Sequence, residues 1–265
     1  MRLRELPVGA KVSDYRREFS WLIADQEHPI YEGTVLMADM LAEAGCYDAP
    51  EPDSRFDTIR QFGWNRYPVS NVHCWLNSEE DDWYAPAHGQ DMPPAELEPY
   101  VDKPGFLTGF SETFRNALLT VDVTYCIQDD YYQTRHLSVP CRVFLPSRTE
   151  LGMEDRKGIA EGSRLALCDI RRFLNSMPSE ELTAAHHLCD RDFHPTTAYP
   201  YWLRSVDLSC MSAVYFCGMS RQPWFHACQV SCGIRPLAVM DPETELEDRP
   251  DRYGVYHVKG EQGNE

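Results

Sequence analysis

The chain has 265 residues, 43% of them hydrophobic, and a formal net charge of −17. Its length allows one large or two small domains with a full core. The acidic balance and the absence of a long basic run argue against sequence-independent binding to nucleic acid and against adhesion to anionic lipid. The amino terminus lacks the apolar stretch of a Sec signal peptide, and no run of about 18 apolar residues occurs. We therefore expect no membrane insertion, and a protein that is cytoplasmic as synthesised or becomes associated with a virion or a cell surface.

Short apolar segments near the amino terminus predict strands. Residues 8–12, 19–24 and 34–40 are such segments, and a turn at residues 31–33 precedes the third. Residues 45–61 contain two prolines and several acidic residues, which is typical of a loop. We therefore expect the first part of the chain to supply strands to a sheet.

Capping residues predict two short helices in the next part of the chain. The stretch 70–78 begins with a capping Ser or Asn and continues with apolar residues at helical spacing. A second helix is expected to begin after Ser111, whose hydroxyl can cap it. Residues 79–105, between the two, contain five prolines and many acidic residues, which favours a long surface loop.

The second half of the chain is predicted to contain mainly strands. Residues 121–127 alternate apolar and polar side chains, as a half-buried strand does, and residues 141–147 are expected to form another strand. A helix is expected at about 164–174. Residues 201–240 have the spacing of two or three short strands separated by turns.

The segment 201–237 has the most unusual composition in the chain. W-L-R at 202–204 and G-I-R-P-L at 233–237 enclose a mixture of aromatics, thiols, small hydroxyls and single charges. Aromatic rings supply contact area and short polar groups supply adaptable hydrogen bonds, so such a mixture held in a rigid frame favours a recognition surface.

The two ends of this segment, W-L-R and G-I-R-P-L, are expected to be structural. Trp202 is predicted to lie in the core, and the two arginines are predicted to pair with carboxylates such as Glu150 or Glu161, because Arg makes bidentate bonds that hold loops together. Gly158 and Gly162 are expected to permit tight turns. The predicted structural anchors are Trp202, Arg204, Gly233 and Arg235.

Several short motifs are distributed between about Leu6 and Val239. They include Asn65-Arg66, Ser70-Asn71-Val72, Trp75-Leu76-Asn77-Ser78, Trp83-Tyr84, Pro93-Pro94, Gly105-Phe106-Leu107, Val143-Phe144-Leu145, Gly158-Ile159-Ala160-Glu161-Gly162, Trp202-Leu203-Arg204 and Gly233-Ile234-Arg235-Pro236. Together they resemble an uncharacterised domain family widespread in Firmicutes genomes and gut bacteriophages.

The terminal part of that family is similar to the variable ligand-binding end of C-type-lectin-fold proteins, some of which are diversified by retroelements. The resemblance implies an α+β, C-type-lectin-like fold with short antiparallel strands, a few helices and long loops. It implies a single ligand-binding domain over residues 1–240, with a variable segment at about 206–232. The acidic residues 241–265 are interpreted as a C-terminal tail.

The composition of 206–232 fits diversification at some positions only. Randomised adenine codons yield residues such as Cys, Phe, His, Ser and Tyr, but they do not easily yield Trp, Met or Gln. The alternative is an ordinary pair of strands with a few buried thiols, which behave as small hydrophobic groups.

We predict that the outward side chains of this segment bind a protein or glycan ligand. Aromatic and Arg side chains dominate binding energy, so Trp224, Tyr215 and Arg221 are expected to contribute most. A register shift of one residue would invert which face is exposed. The predicted ligand-binding residues are Asp207, Ser209, Met211, Tyr215, Cys217, Ser220, Arg221, Gln222, Trp224, Phe225, His226 and Cys228.

Enzymatic activity is not expected, because no G-x-S-x-G, H-E-x-x-H, G-x-G-x-x-G or P-loop pattern occurs. We expect no cofactor and no metal; the densest group of ligand-type side chains, at 186–194, is interpreted as a surface connection. The ten cysteines are expected to be reduced, since disulfide frameworks belong mostly to small secreted chains.

Two alternatives stay open. A bacteriophage virion or assembly protein would pack the same surface against a partner subunit, and a homo-oligomer would do so against a second copy. A formylglycine-generating-type enzyme would use a pair of cysteines, for which Cys228 and Cys232 stand near the corresponding end of the chain.

Overall fold

The computed structural model describes residues 1–16, 20–84, 102–128, 134–153, 160–168, 200–217 and 224–260, and within these ranges the architecture is α+β with mostly strands. The strands are β1 (Lys11–Ser13), β2 (Trp21–Asp25), β3 (Thr34–Ala38), β4 (Glu43–Gly45), β5 (Val121–Gln128), β6 (Thr134–Cys141), β7 (Val143–Phe144), β8 (Tyr201–Val206), β9 (Ala213–Cys217), β10 (Trp224–His226), β11 (Cys232–Ile234), β12 (Leu237–Met240) and β13 (Val255–His257). The α-helices are α1 (Asp57–Phe62), α2 (Asn71–Leu76) and α3 (Glu112–Ala117).

The strands of the described residues form three sheets. The first has the order β13-β1-β2-β3-β12-β7, the second has the order β10-β9-β8-β11-β4, and β5 pairs with β6 in a hairpin. β1 is parallel to β13 and β11 is parallel to β8, whereas the other neighbours are antiparallel. Because β11 and β12 are consecutive and belong to different sheets, the chain passes directly from the second sheet to the first.

The two predicted helices with capping serines are confirmed. Ser70 Oγ accepts a hydrogen bond from the His73 N–H at 3.4 Å, at the start of α2. Ser111 Oγ accepts one from the Phe114 N–H at 3.1 Å, at the start of α3. In both cases the hydroxyl satisfies an N–H that has no acceptor within the helix, which is the physical reason for the preference.

The strand predictions are confirmed in part. The alternating stretch 121–127 is β5, but the apolar stretch 141–147 forms only the two-residue β7 after the end of β6. The segment 201–240 contains five strands instead of two or three. The helix expected at 164–174 lies largely outside the described residues, whose last part there is a 3-10 turn over Ala166–Cys168.

One contiguous hydrophobic cluster draws side chains from all three sheets. Val12 and Ile23 come from the first sheet, Trp202 and Phe216 from the second, and Val123 from the hairpin. A single shared cluster means that each sheet buries its apolar face against the others.

The described part of the expected acidic tail is built into the first sheet. β13 pairs with β1, and the Met1 ammonium group donates to the Leu246 carbonyl oxygen at 3.2 Å. Leu246 is fully buried, and Val255 and Val258 are also buried. The tail interpretation is therefore corrected for residues 241–260: acidic side chains face solvent here, while the apolar residues between them enter the core.

Candidate ligand-binding surface

Arg204, on β8, is the centre of a fully buried ionic group that we call the Arg204 cluster. Its guanidinium forms a bidentate pair with Glu150, with Nη1–Oε2 at 2.6 Å and Nη2–Oε1 at 2.7 Å, and both side chains are 0% exposed. The Tyr31 hydroxyl donates to Glu150 Oε1 at 2.8 Å. Arg204 also donates to the carbonyl oxygens of Thr124 and Leu145 at 2.8 and 2.7 Å. The predicted pair with Glu150 is confirmed, and it ties β8 to β5 and to the loop after β7.

Gly162 makes room for this cluster. Its φ of 97° lies in the left-handed region, and an added Cβ would come within 2.8 Å of Glu150 Oε1. Only glycine therefore combines this turn with the bidentate pair. The tight turn predicted at Gly162 is confirmed, whereas Gly158 lies outside the described residues.

Glu161, the other expected carboxylate, supports the cluster from the side. Its Oε1 accepts the Cys126 N–H at 2.7 Å and its Oε2 accepts the Ser205 hydroxyl. Burial raises the pKa of Glu161, although the nearby Arg204 opposes the shift. This carboxyl group thus joins β5 to Ser205, near the end of β8.

The remaining frame residues are held by backbone acceptors and close packing. The Trp202 Nε1–H donates to the Gly45 carbonyl at 2.8 Å, and its ring meets that of Tyr47 edge-on at 5.8 Å. An added Cβ on Gly233 would lie 2.5 Å from the Leu41 side chain. Both positions therefore belong to the packed frame.

The carboxylate partner predicted for Arg235 is wrong. The buried Arg235 guanidinium instead donates to the carbonyl oxygens of Ala38 at 2.9 Å and Asp39 at 3.4 Å, and it lies over the Tyr201 ring. These carbonyls lie where β3 ends, close to the point where the chain passes between the two larger sheets. Arg235 fixes that crossing by binding backbone atoms, for which the sequence carries no pairing signal.

Half-buried side chains cover the outer end of the second sheet. The β9–β10 surface consists of Tyr215, Cys217, Trp224 and His226. Phe225 points to the opposite face, where its ring stacks on Phe216 with centroids 4.9 Å apart. Trp224 stands directly opposite Tyr215 in the ladder, so their side chains share one face. The Arg148 guanidinium lies 4.7 Å from the centroid of the Tyr215 ring, and the Tyr215 hydroxyl donates to Asp207 at 3.2 Å. Two large rings and both signs of charge therefore meet here.

His226 is positioned by three neighbours. Its Nδ1 lies 2.7 Å from Ser212 Oγ, its ring stacks on Phe62 at 4.3 Å, and Trp224 meets it edge-on at 5.4 Å. Burial lowers the pKa of His226. The imidazole is thus a neutral, oriented group in this surface at neutral pH.

The turn at 207–212, between β8 and β9, is held from outside by Asn65. Its Nδ2 donates to the carbonyl oxygens of Cys210 at 2.9 Å and Ala213 at 3.0 Å, and its backbone N–H donates to the Met211 carbonyl at 2.9 Å. These acceptors are all backbone atoms. The side chains of the turn itself take no part in this attachment.

A groove runs beside the turn. It is lined by Trp64, Asn65, Arg66, Ile127, Asp207, Leu208, Cys210 and Met211. The Arg66 guanidinium lies 5.3 Å from the centroid of the Trp64 ring. Asn65 and Arg66 stand together in one of the sequence motifs, and that adjacent pair is the local signal for this groove.

The structure places the other predicted ligand-binding residues as follows. Asp207 and Met211 are half-buried and Ser209 is exposed, so they and the β9–β10 surface can be reached from solvent, and their role in binding stays a prediction. Ser220, Arg221 and Gln222 lie outside the described residues.

Cys228 does not fit a surface contact. It is 5% exposed, its thiol donates to the Gln61 carbonyl at 3.4 Å, and its own carbonyl accepts from the Cys46 thiol. It lies in the turn after β10, where the alternation of a strand no longer applies. We therefore remove it from the candidate surface.

The thiols and charged groups of the described residues show no assembled metal site. Eight cysteines there are free, whereas Cys168 is disulfide-bonded, unlike the expected fully reduced set. Cys232 is buried, which raises its pKa to about 12. No group of three His, Cys, Asp or Glu side chains in the described ranges could hold a metal ion, and residues 186–194 lie outside them.

The comparisons with known proteins give one result. A family model described as a domain of unknown function (DUF6273) matches residues 32–242, which include the frame, the groove and the β9–β10 surface. No curated protein and no solved structure matches the chain. Among the described helices, none is long and apolar enough to cross a membrane.

Proposed function

We propose that this chain, which belongs to the DUF6273 family, is a ligand-binding protein of receptor or adhesin type that displays residues 206–232 on a C-type-lectin-like scaffold. The ligand class is a protein or a glycan. The observation that carries the proposal is that Asn65 attaches the turn 207–212 through backbone atoms, which leaves the exposed Ser209 and the half-buried Met211 available for contacts.

The backbone bonds that attach the turn do not involve the side chains of Ser209 and Met211. Besides the bonds from Asn65, the Ala227 N–H donates to the Ser212 carbonyl at 2.8 Å and the Asp207 N–H donates to the Ala213 carbonyl at 3.0 Å. Substitutions at exposed positions leave these bonds in place. A rigid support with exchangeable side chains is the arrangement that binding loops commonly use.

The β9–β10 surface has the chemistry of a binding site. Trp224 and Tyr215 are half-buried, so their rings are already ordered before a ligand arrives, and ordering costs little on binding. Each ring combines an apolar face with a polar donor, which suits contact with either a protein or a sugar.

The test is a binding screen followed by matched substitutions. The purified protein is screened on a glycan array and against a displayed peptide library, and each ligand found is titrated against Trp224→Ala, Tyr215→Ala and Tyr253→Ala. Tyr253, 70% exposed and outside the surface, is the control. We expect the first two variants to bind at least about tenfold more weakly with nearly unchanged melting temperature, and the control to bind normally.

Ligands that bind all three variants equally, or the absence of any ligand, would contradict the proposal. A large loss of stability in Trp224→Ala would instead identify Trp224 as a core residue.

Diversification by a retroelement is a separate part of the proposal, and a structural role in a phage virion is the alternative to it. Sequencing the neighbouring DNA tests both, because diversification requires a reverse transcriptase gene and a near-identical template repeat. Neighbouring virion genes without those elements would favour the alternative, a phage structural protein that packs this surface against a partner subunit.

A further inference from the structure

Arg66 is an arginine whose side chain has no acceptor. Its Nε is buried without a hydrogen-bond partner, and within the described residues the guanidinium forms no ion pair. The chain carries 42 acidic residues against 25 Lys and Arg, so carboxylates are abundant. A buried donor left unsatisfied costs about 1–3 kcal/mol, so its presence calls for a physical explanation.

The surroundings of Arg66 keep it in place without satisfying it. The guanidinium packs over the Trp64 ring at 5.3 Å, and this contact orients the planar group. Asp207 lines the same groove, but it accepts hydrogen bonds from the Ser209 N–H at 2.8 Å and the Tyr215 hydroxyl at 3.2 Å. The carboxylate nearest in the groove is therefore committed to its own turn.

The other walls of the groove are largely apolar. Ile127, Leu208 and Met211 face it together with Trp64. Because Arg66 covers one face of the Trp64 ring, that face is not open for stacking on a sugar. An aliphatic side chain suits these walls better than a hydroxyl-rich ligand does.

We propose that this groove binds the carboxyl terminus of a peptide whose last residue is apolar. The carboxylate accepts hydrogen bonds from the Arg66 guanidinium, which presents parallel donors to two oxygens, while the last side chain packs against Ile127 and Met211. This inference rests on the proposed function, since the groove is continuous with the turn 207–212, and it specifies one class of ligand for that surface.

Arg66 can be replaced without loss of folding, so the inference can be tested in a folded protein. Because its side chain forms no hydrogen bond or ion pair in the described structure, replacing it removes none, and the variant is expected to fold. Binding and stability can therefore be measured separately.

The experiment uses fluorescein-labelled hexapeptides ending in Ala, Leu, Ile or Phe, each made as a free acid and as a C-terminal amide. Affinity is measured by fluorescence anisotropy with the full chain, Arg66→Gln, Arg66→Lys and Arg60→Gln. Arg60 is the matched control, because it is a surface arginine paired with Asp57. Melting temperature is recorded for every variant.

We expect at least one apolar-ended acid to bind, and its amide to bind at least about tenfold more weakly. Arg66→Gln should abolish this preference for the acid, Arg66→Lys should keep part of it because it retains charge without the planar fork, and Arg60→Gln should not change it.

Equal affinity for acid and amide, no binding of any peptide up to about 1 mM, or an unchanged preference in Arg66→Gln would overturn the inference. The proposed function has an independent readout in the Trp224 and Tyr215 variants. Library ligands that depend on Trp224 but not on Arg66 would leave the proposed function standing and remove only the inference.

Discussion

The Arg204 cluster and the Arg66 groove use the same side chain in opposite ways. Arg204 is enclosed by acceptors from Glu150, Thr124 and Leu145, whereas Arg66 is oriented against Trp64 and its Nε has no acceptor in the part of the chain that the structure describes. The first arrangement makes the arginine part of the scaffold. The second leaves the buried Arg66 Nε without an acceptor from the described residues.

The difference shows that the residues that hold the strands together are not the residues that are exposed for contacts. Around Arg204, every added bond fixes one strand or loop relative to another, and no substitution is tolerated without leaving a buried group unpaired. Beside Arg66, the turn is fixed by Asn65 through backbone atoms, so its exposed side chains are not required for the attachment. Stability is therefore concentrated in one region and exposed chemistry in the other.

The largest expected effect on stability comes from replacing Arg204. Arg204→Met should lower the free energy of unfolding by about 3–5 kcal/mol, because Glu150 is left buried without its cation. The matched Arg66→Met change should cost no more than about 1 kcal/mol. Urea unfolding of both variants measures the difference.

A double variant then tests the cause. Arg204→Met combined with Glu150→Leu should recover part of the lost stability, since neither charge is then buried alone. Equal losses for Arg204→Met and Arg66→Met would show that the two arginines are not used differently.

A second prediction concerns how the stability of the scaffold depends on pH. His73, on the scaffold helix α2, is 8% exposed, and burial lowers its pKa to about 4. Because the unfolded chain binds the proton first, the stabilisation is complete above about pH 6.5 and is lost as the pH falls from there to about 4. The loss should amount to about 3 kcal/mol at about 1.4 kcal/mol per pH unit.

Unfolding titrations at several pH values check this slope, with His73→Phe as the comparison. The phenylalanine keeps an aromatic ring against Tyr67, which His73 meets edge-on at 4.7 Å, but it cannot take up a proton. A slope of the same size in the variant would assign the pH dependence to other groups.

The smallest effect concerns the attachment of the turn. Asn65→Ala should cost about 1–2 kcal/mol, because the Cys210 and Ala213 carbonyls each lose one donor while keeping a backbone one. Hydrogen exchange at the Ala213 N–H should also become faster. By contrast, Ser209→Ala and Met211→Ala should each cost less than about 0.5 kcal/mol if the turn is held only through its backbone.

Local sequence patterns correctly predicted the elements that are stabilised by residues close together in the chain. Ser70 and Ser111 identified the starts of α2 and α3 because a capping hydroxyl acts within three residues. Alternation identified β5 because its period is set by the strand itself. The sheet order, in which β12 lies between β3 and β7, depends on contacts between distant parts of the chain and left no local signal.

In the candidate site, too, the sequence could not predict contacts that depend on the folded arrangement. Arg204 could be assigned a carboxylate partner because both groups are ionisable, but Arg235 binds carbonyl oxygens that every residue possesses. Cys228 was included by extending an alternation beyond the end of β10. Arg66 stands in the sequence only as part of the Asn65-Arg66 motif, because its missing acceptor is a property of the folded arrangement and not of the residue type.

The pairing of β1 with β13 bears on how the chain folds. Lys11 stands beside Val255, so this sheet edge closes only after all the residues between these two positions have been made. Loop-closure entropy disfavours such a distant contact until other contacts have shortened the loop. Formation of the β1–β13 pair is therefore expected to follow assembly of the sheet between β2 and β12.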